Sequence, residues 1–452
     1  MAPEANLRFS EIVSALSYAL DLTEGQVLGH SARTALIGMR LAETLGLSAE
    51  DRSALFYALL LKDAGCSSNA ARLCAVFQAD DRSLKQDHKR INWRKLGEAA
   101  RYTMRHVAPA GSRVGKLARF FRIATTPDEV GRELIAIRCE RGADIALMLG
   151  LPHGTAEAIR SLDEHWDGGG HAAGLAGQQI PLLGRILCLS QTMEVFVREQ
   201  GLASAYEVIE RRAGSWFDPE LVEGLVGFRN DRAFWTEALT DDVRAALEPH
   251  EPEDRVLHAD EARLDRVAEA FARVIDAKSP FTFRHSERVA LVAVRIGEVL
   301  GFDAAARTEL RRAALLHDIG KLGVSNMILD KNGPLDDTEW DAMRAHTRFT
   351  LAILNRVAPF RGFAEMAASH HERLDGKGYH RGVGAEFLGT AARALAVADV
   401  CEALSASRPY REALPWDEVM RIIGKGRGSA LDAECCDALA GLGATVLDGG
   451  AS

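Results

Sequence analysis

The 452-residue chain lacks a basic excess, a Cys-x-x-Cys pair, a long apolar run and clean strand patterning. Each absence excludes something. With 55 Lys and Arg against 64 Asp and Glu, the formal charge is -9. That argues against a general binder of nucleic-acid polymers, while leaving room for a local basic pocket around a small anion. The seven cysteines are odd in number and carry no zinc-ribbon spacing. A disulfide framework is therefore not expected, and a reducing compartment is. No stretch approaches the roughly 18 uninterrupted apolar residues of a membrane helix. The N-terminal MAPEANLRFSEIVSAL, broken by Glu4 and Glu11, does not read as a signal peptide. A cytoplasmic protein without a membrane partner is expected.

What is present reads as helix. Val289, Val292, Ala293, Ile296 and Leu300 recur at three and four positions with charge between them. Gly301 after Leu300 and Gly46 after Leu45 stand where helices stop. A boundary is expected in TDDVRAALEPHEPEDRVLHADEAR, where Pro249 and Pro252 stand among charges. An internal repeat crosses it. GHSARTALIGMRLAETLGL in the first half matches RHSERVALVAVRIGEVLGF in the second; EHWDGGGHAAG matches ERLDGKGYHRG; SWFDPELVEGL matches SALDAECCDAL. Three blocks in the same order indicate two copies of one helical module. The expected layout is a first module over 1–240, a linker over 241–261 and a second module over 262–445, all-α throughout.

The second half gathers metal-ligand residue types. His285 opens one helical pattern, and His317 and Asp318 close the next, RRAALLHDIGKLG. His346 lies in EWDAMRAHTRFTLAIL, His370, His371 and Glu372 are consecutive, and Asp399 lies in RALAVADVCEAL. Singly, His285 or His346 would read as a surface or satisfied core residue. A His-Asp pair at the apolar end of a helix is different, because unpaired polar groups are costly there. Imidazole and carboxylate together suit hard-to-borderline divalent ions. Two ions about 3.5–4 Å apart can clamp an in-line displacement at phosphorus and lower the pKa of water to give a hydroxide nucleophile. Lys321, three residues after Asp318, is placed by one turn to neutralise charge on phosphoryl oxygens.

The strings HSERVA, LLHDIGKLGV, HHERLDGKGYH and VADVCEALSASRPYREAL resemble the HD-GYP family of the HD metal-dependent phosphohydrolase superfamily. The match spans about residues 262–440, and the combination of HD-x-G-K with HHE-x-x-DG-x-GY is specific. The resemblance implies an all-α catalytic module that hydrolyses c-di-GMP to pGpG or GMP. It implies two divalent ions, iron or manganese first, with nickel, zinc or cobalt also compatible. Metal ligands would be His285, His317, Asp318, His346, His370, His371 and Asp399. Substrate contacts would come from Lys321, Tyr379, Arg408 and Arg411, with His317, Asp318 and Lys321 at the catalytic centre. The alternatives are action on another nucleotide, such as cGAMP or a mononucleotide, and a nucleotide-binding scaffold with little turnover. A homodimer is compatible with this reading.

Three departures matter. The family's GYP triplet is Gly378-Tyr379-His380 here, which puts docking to a diguanylate cyclase domain in doubt. Phe281 replaces the Glu that trinuclear members carry four residues before His285, which favours two ions. GVGAEFLGTAARAL lacks the family's Ile-Pro. In the first half the donors are worn away. His30 matches His285, Lys62-Asp63 matches His317-Asp318, Cys66 matches Lys321, Leu162-Asp163 matches His370-His371, and Gln191 matches Asp399. For His346 the candidate counterparts are His88 and His106. The first module is expected to be non-catalytic.

Overall fold

The computed structural model describes residues 8–88, 91, 96–108, 113–124, 128–171, 173–240, 243–251, 260–407 and 412–447. The chain divides into two compact units, Met1–Asp260 and Glu261–Ser452. Both are all-α. Among the described residues the only β features are two isolated bridges, Ala213 with Phe217 and Arg427 with Leu431, at the same place in each unit. No described helix is long and apolar enough to cross a membrane, and none of the seven cysteines is in a disulfide.

The first unit runs α1 Phe9–Thr23, α2 His30–Thr44, α3 Ala49–Leu61, α4 Ala70–Phe77, α5 Asp81–His88, α6 Leu96–His106, α7 Arg113–Ala124, α8 Asp128–Met148, α9 His153–Arg160, α10 Leu182–Arg212, α11 Pro219–Gly227, α12 Arg232–Ala238 and α13 Val243–Leu247. Helix α13 falls inside the segment expected to be a linker. Val243, Ala246 and Leu247 are buried at helical spacing, and α13 packs on α2. The prolines enter only afterwards: Pro249 sits in the 3-10 turn Glu248–His250, and Pro252 lies outside the described residues. Three apolar positions suffice for one amphipathic turn and a half once α2 is there to cover them.

The second unit runs α14 Glu261–Asp276, α15 His285–Val299, α16 Ala304–Leu316, α17 Asn326–Leu329, α18 Asp337–Leu354, α19 Arg361–Ala368, α20 Thr390–Ser405, α21 Trp416–Gly426 and α22 Ala433–Leu442. Helix α15 buries Val289, Val292, Ala293 and Ile296 against α16 and α20. Burying such a side chain is worth roughly 1.5–3 kcal/mol. The starts of α16 and α18 are capped by carboxylates: Asp303 accepts from Ala306 N at 2.8 Å, and Asp336 and Glu339 form a reciprocal capping box. Helix α20 is apolar nearly all round, with Ala394, Leu395, Val397, Ala398 and Cys401 buried, so Asp399 on it is drawn into the interior.

Candidate active site

Five chain segments bring the donors together. His285 is the first residue of α15. Its side chain is fixed because Nδ1–H donates to Glu402 on α20. His317 is the C-terminal cap of α16, and Asp318 precedes the 3-10 turn Ile319–Gly323. That turn presses on α18. A Cβ at Gly320 would stand 1.9 Å from His346 O, so only glycine lets Asp318 approach His346 this closely. His346 lies mid-way along α18, His370 and His371 follow α19, and Asp399 comes from α20.

Asp318 is central. Its Oδ2 lies 3.5 Å from His285 Nε2, 3.3 Å from His317 Nε2 and 2.6 Å from Lys321 Nζ. Its Oδ1 lies 3.6 Å from Nε2 of both His346 and His370. Asp399 Oδ1 stands 3.5 Å from His285 Nε2 and 3.7 Å from His317 Nε2, and its Oδ2 stands 3.9 Å from His371 Nδ1. One carboxylate thus faces two groups of imidazoles, one with each oxygen.

The ring orientations are set from behind. Nδ1–H of His317 donates to Ala314 O at 2.7 Å, that of His346 to Met343 O at 2.6 Å, and that of His370 to Ala367 O at 2.7 Å. Whenever such a ring is neutral, its Nε2 carries a lone pair aimed at the centre. His346 and His370 Nε2 stand 3.3 Å apart. Two lone pairs at that distance repel unless something positive lies against them.

The electrostatics divide the same way. Burial pushes the charged forms of His346 and His371 down, to about 3 and about 4, and holds His370 well below its usual range. His317 runs opposite. Burial again opposes its charge, but Asp318 and Asp399 outweigh burial and push it up to about 10. Burial alone would raise Asp318, yet His317 and Lys321 hold it well below the usual carboxylate range.

Nε2 of His285, Nε2 of His317 and Oδ1 of Asp318 are buried without a hydrogen-bond partner among the described residues. Leaving such atoms unsatisfied costs about 1–3 kcal/mol each, more for charged groups. His346, His370 and His371 form one compact donor group, and His285, His317 and Asp399 form another. Nitrogen and carboxylate donors in two groups sharing Asp318 fit two divalent ions.

A family model described as an HD domain matches residues 122–221 and 269–435. The 3'3'-cGAMP-specific phosphodiesterase 3 of Vibrio cholerae serotype O1 is 42% identical over 430 residues, 95% of this chain and 93% of that protein. The cyclic di-GMP phosphodiesterase of Thermotoga maritima is 38% identical over 169 residues, 37% of this chain and 46% of that protein. A crystal structure of a cyclic GMP-AMP-specific phosphodiesterase of V. cholerae superposes with a TM-score of 0.66 at 38% identity, covering 97% of this chain and 98% of that one. The chain belongs to the HD-GYP family. It is a phosphohydrolase, and HD-domain phosphohydrolases are metal-dependent.

The seven residues expected as HD-GYP metal ligands therefore stand around one centre, with Lys321 on its edge. The Tyr379 ring is 4.6 Å from the His371 ring and 6.2 Å from that of His346. Arg408 and Arg411 lie outside the described residues. His380 does not join the donor groups; it is a loop residue at φ 116°. Gly378 allows a close backbone approach: a Cβ there would meet Glu372 Cα at 2.5 Å.

Glu402 had no place in the sequence analysis, and Glu372 was noted there only as the neighbour of His370 and His371. Glu402 orients His285. Glu372 accepts from the backbone N–H of Arg381 at 2.6 Å, Gly382 at 3.1 Å and Val383 at 3.2 Å, which holds the loop after the signature. The repeat carried a signal for both, since Glu194 and Glu164 stand at the matching positions of the first half.

The counterpart of His346 is neither His88 nor His106. Gly65 abuts Arg138 O and Gly142 N as Gly320 abuts His346 O and Thr350 N, so Arg138 takes that place. His106 instead pairs with Asp87 at 2.8 Å, and the side chain of His88 is outside the described residues.

Proposed function

We propose that the second unit hydrolyses a cyclic dinucleotide at a two-ion centre. The observation that carries this is Asp318, a buried carboxylate whose two oxygens face separate groups of imidazole nitrogens. His285, His317, Asp318 and Asp399 would hold one ion, and Asp318, His346, His370 and His371 the other. Bound ions would supply Lewis-acid polarisation of phosphoryl oxygens and lower the pKa of water. The chain's own groups do the rest. Lys321 Nζ, kept at the centre by Asp318, neutralises charge that develops on the phosphate in the transition state. Tyr379 offers a ring face to a base, and burial pushes its phenol up, so it stays neutral. Arg408 and Arg411 are proposed to fork onto phosphate. Water adds across one P–O bond, giving a linear dinucleotide.

The first candidate substrate is 3'3'-cGAMP. The relative that matches across both units is named for that substrate, whereas the matching c-di-GMP enzymes cover little more than a third of the chain. c-di-GMP is the second candidate, supported by the resemblance of the HHERLDGKGYH block to the HD-GYP signature. The first unit is proposed to be non-catalytic, because Lys62, Leu162 and Gln191 offer no imidazole or carboxylate where the second unit has His317, His370 and Asp399. The test is turnover of both dinucleotides by the chain reconstituted with iron, manganese or nickel, with product read by chromatography. Cleavage of neither sinks the proposal; preference for c-di-GMP reverses the order of substrates.

A further inference from the structure

We infer that Arg344 is a substrate-positioning residue that grips the second phosphate of the cyclic dinucleotide, the one not lying at the ion centre. The inference rests on the cyclic-dinucleotide reading above. Arg344 is exposed on α18, two residues before His346. Its guanidinium carbon lies 5.9 Å from the Tyr379 ring centroid and 5.5 Å from that of Trp340. Tyr379 in turn packs on His371. A chain of ring contacts therefore ties this cation to the edge of the donor cluster.

Its charge is otherwise unused. Arg344 forms no ion pair with a carboxylate among the described residues. Other exposed arginines of the unit do: Arg284 pairs with Glu287, Arg373 with Asp375 and Arg381 with Glu365. A guanidinium held by ring faces keeps its N–H edge free, and that planar fork matches two oxygens of a phosphate.

The first unit gives an independent comparison. The Gly65–Arg138 and Gly320–His346 contacts set the register of α8 against α18. In that register Arg344 matches Ala136, Trp340 matches Arg132, and Tyr379 matches His171. The guanidinium at this position, the indole and the phenol ring are all replaced in the unit that lacks the donors, where Arg132 and His171 stand at the places of Trp340 and Tyr379. A stack kept for helix stability alone would have no reason to follow the donors.

The ligand class is a diester with two anionic phosphates. One phosphate sits at the ions; the other needs a cation beyond them. The experiment compares wild type, R344A and R344K as full-length, metal-loaded chains on 3'3'-cGAMP, c-di-GMP and bis(p-nitrophenyl) phosphate, which has one phosphate. For R344A the KM for the better dinucleotide should rise on the order of ten-fold, the size expected for losing a charge-assisted hydrogen bond at a solvated edge. Its kcat should fall much less, R344K should recover part of the loss, and the single-phosphate diester should lose far less than the dinucleotide. An unchanged dinucleotide KM overturns the inference. So does an equal loss on both substrates, or a fall in metal content, either of which would make Arg344 part of the ion site's framework. If wild type cleaves the small diester but neither dinucleotide, the substrate reading fails first and this inference falls with it.

Discussion

The two units share a scaffold and differ at its centre. In the first, His30 Nδ1–H donates to Glu194; in the second, His285 Nδ1–H donates to Glu402. Asp21 holds Ser31 as Asp276 holds Ser286. Glu164 binds the backbone of Ala173 and Gly174 as Glu372 binds that of Arg381 and Gly382. Arg185 pairs with Asp218 as Arg393 pairs with Asp432. At the centre the chemistry inverts. Where the second unit has His317 and His346, the first has Lys62 and Arg138. Lys62 pairs with Asp63, and Arg138 with Asp163. Buried carboxylates need positive charge nearby. The first unit supplies it from Lys62 and Arg138, leaving His30 Nε2 and a Glu24, Asp63 and Cys66 group, whereas the second gathers two imidazole-rich donor groups around Asp318. The same scaffold thus accommodates either side-chain cations or a cluster of imidazoles at its centre.

This contrast can be broken in several ways. The largest effect is expected from His317→Ala with Asp318→Ala, which removes the carboxylate both ion groups share and an imidazole of one of them. Turnover should fall by more than about 10³-fold, the scale of losing metal-ion stabilisation worth several kcal/mol, and kinetics with metal analysis would check it. Next is Lys62→Met alone. It strands Asp63 in the interior, and breaking one partner of a buried pair costs about 3–5 kcal/mol. Denaturant unfolding should show that loss, with metal content unchanged. Glu402→Gln is smaller: it weakens the orientation of His285 and should lower metal affinity by about 10–100-fold, measured by competition with a chelator. The smallest effect is expected from Lys62→Met with Asp63→Leu. Replacing a buried pair by apolar groups of similar volume is often neutral or stabilising, so a large loss in unfolding free energy would show that the pair does more than neutralise charge.

Much of this was legible in the sequence because it rested on local pattern. The all-α class followed from spacing such as Val289, Val292, Ala293 and Ile296. The donors followed from residue type at helix ends and from resemblance. What was not legible depended on contacts far apart in the chain. Arg138 could not be matched to His346, because α4 to α7 lie between α3 and α8 and break the alignment; only the packing of Gly65 against α8 restores it. Helix α13 was hidden by the prolines beside it, since its stability comes from α2. Glu402 looked like any helix-surface acid until its partner 117 residues away was known. Arg344 stood out by charge only once Tyr379 was beside it.

The central claim is one ion centre per chain, in the second unit alone. Metal stoichiometry of the reconstituted chain tests it most directly, measured for wild type, the His317→Ala/Asp318→Ala variant and the Lys62→Met/Asp63→Leu variant. The account predicts two ions per chain in wild type, the same in the Lys62/Asp63 variant, and their loss when His317 and Asp318 are replaced. Ions retained after that loss, or a halved content in the Lys62/Asp63 variant, would contradict it.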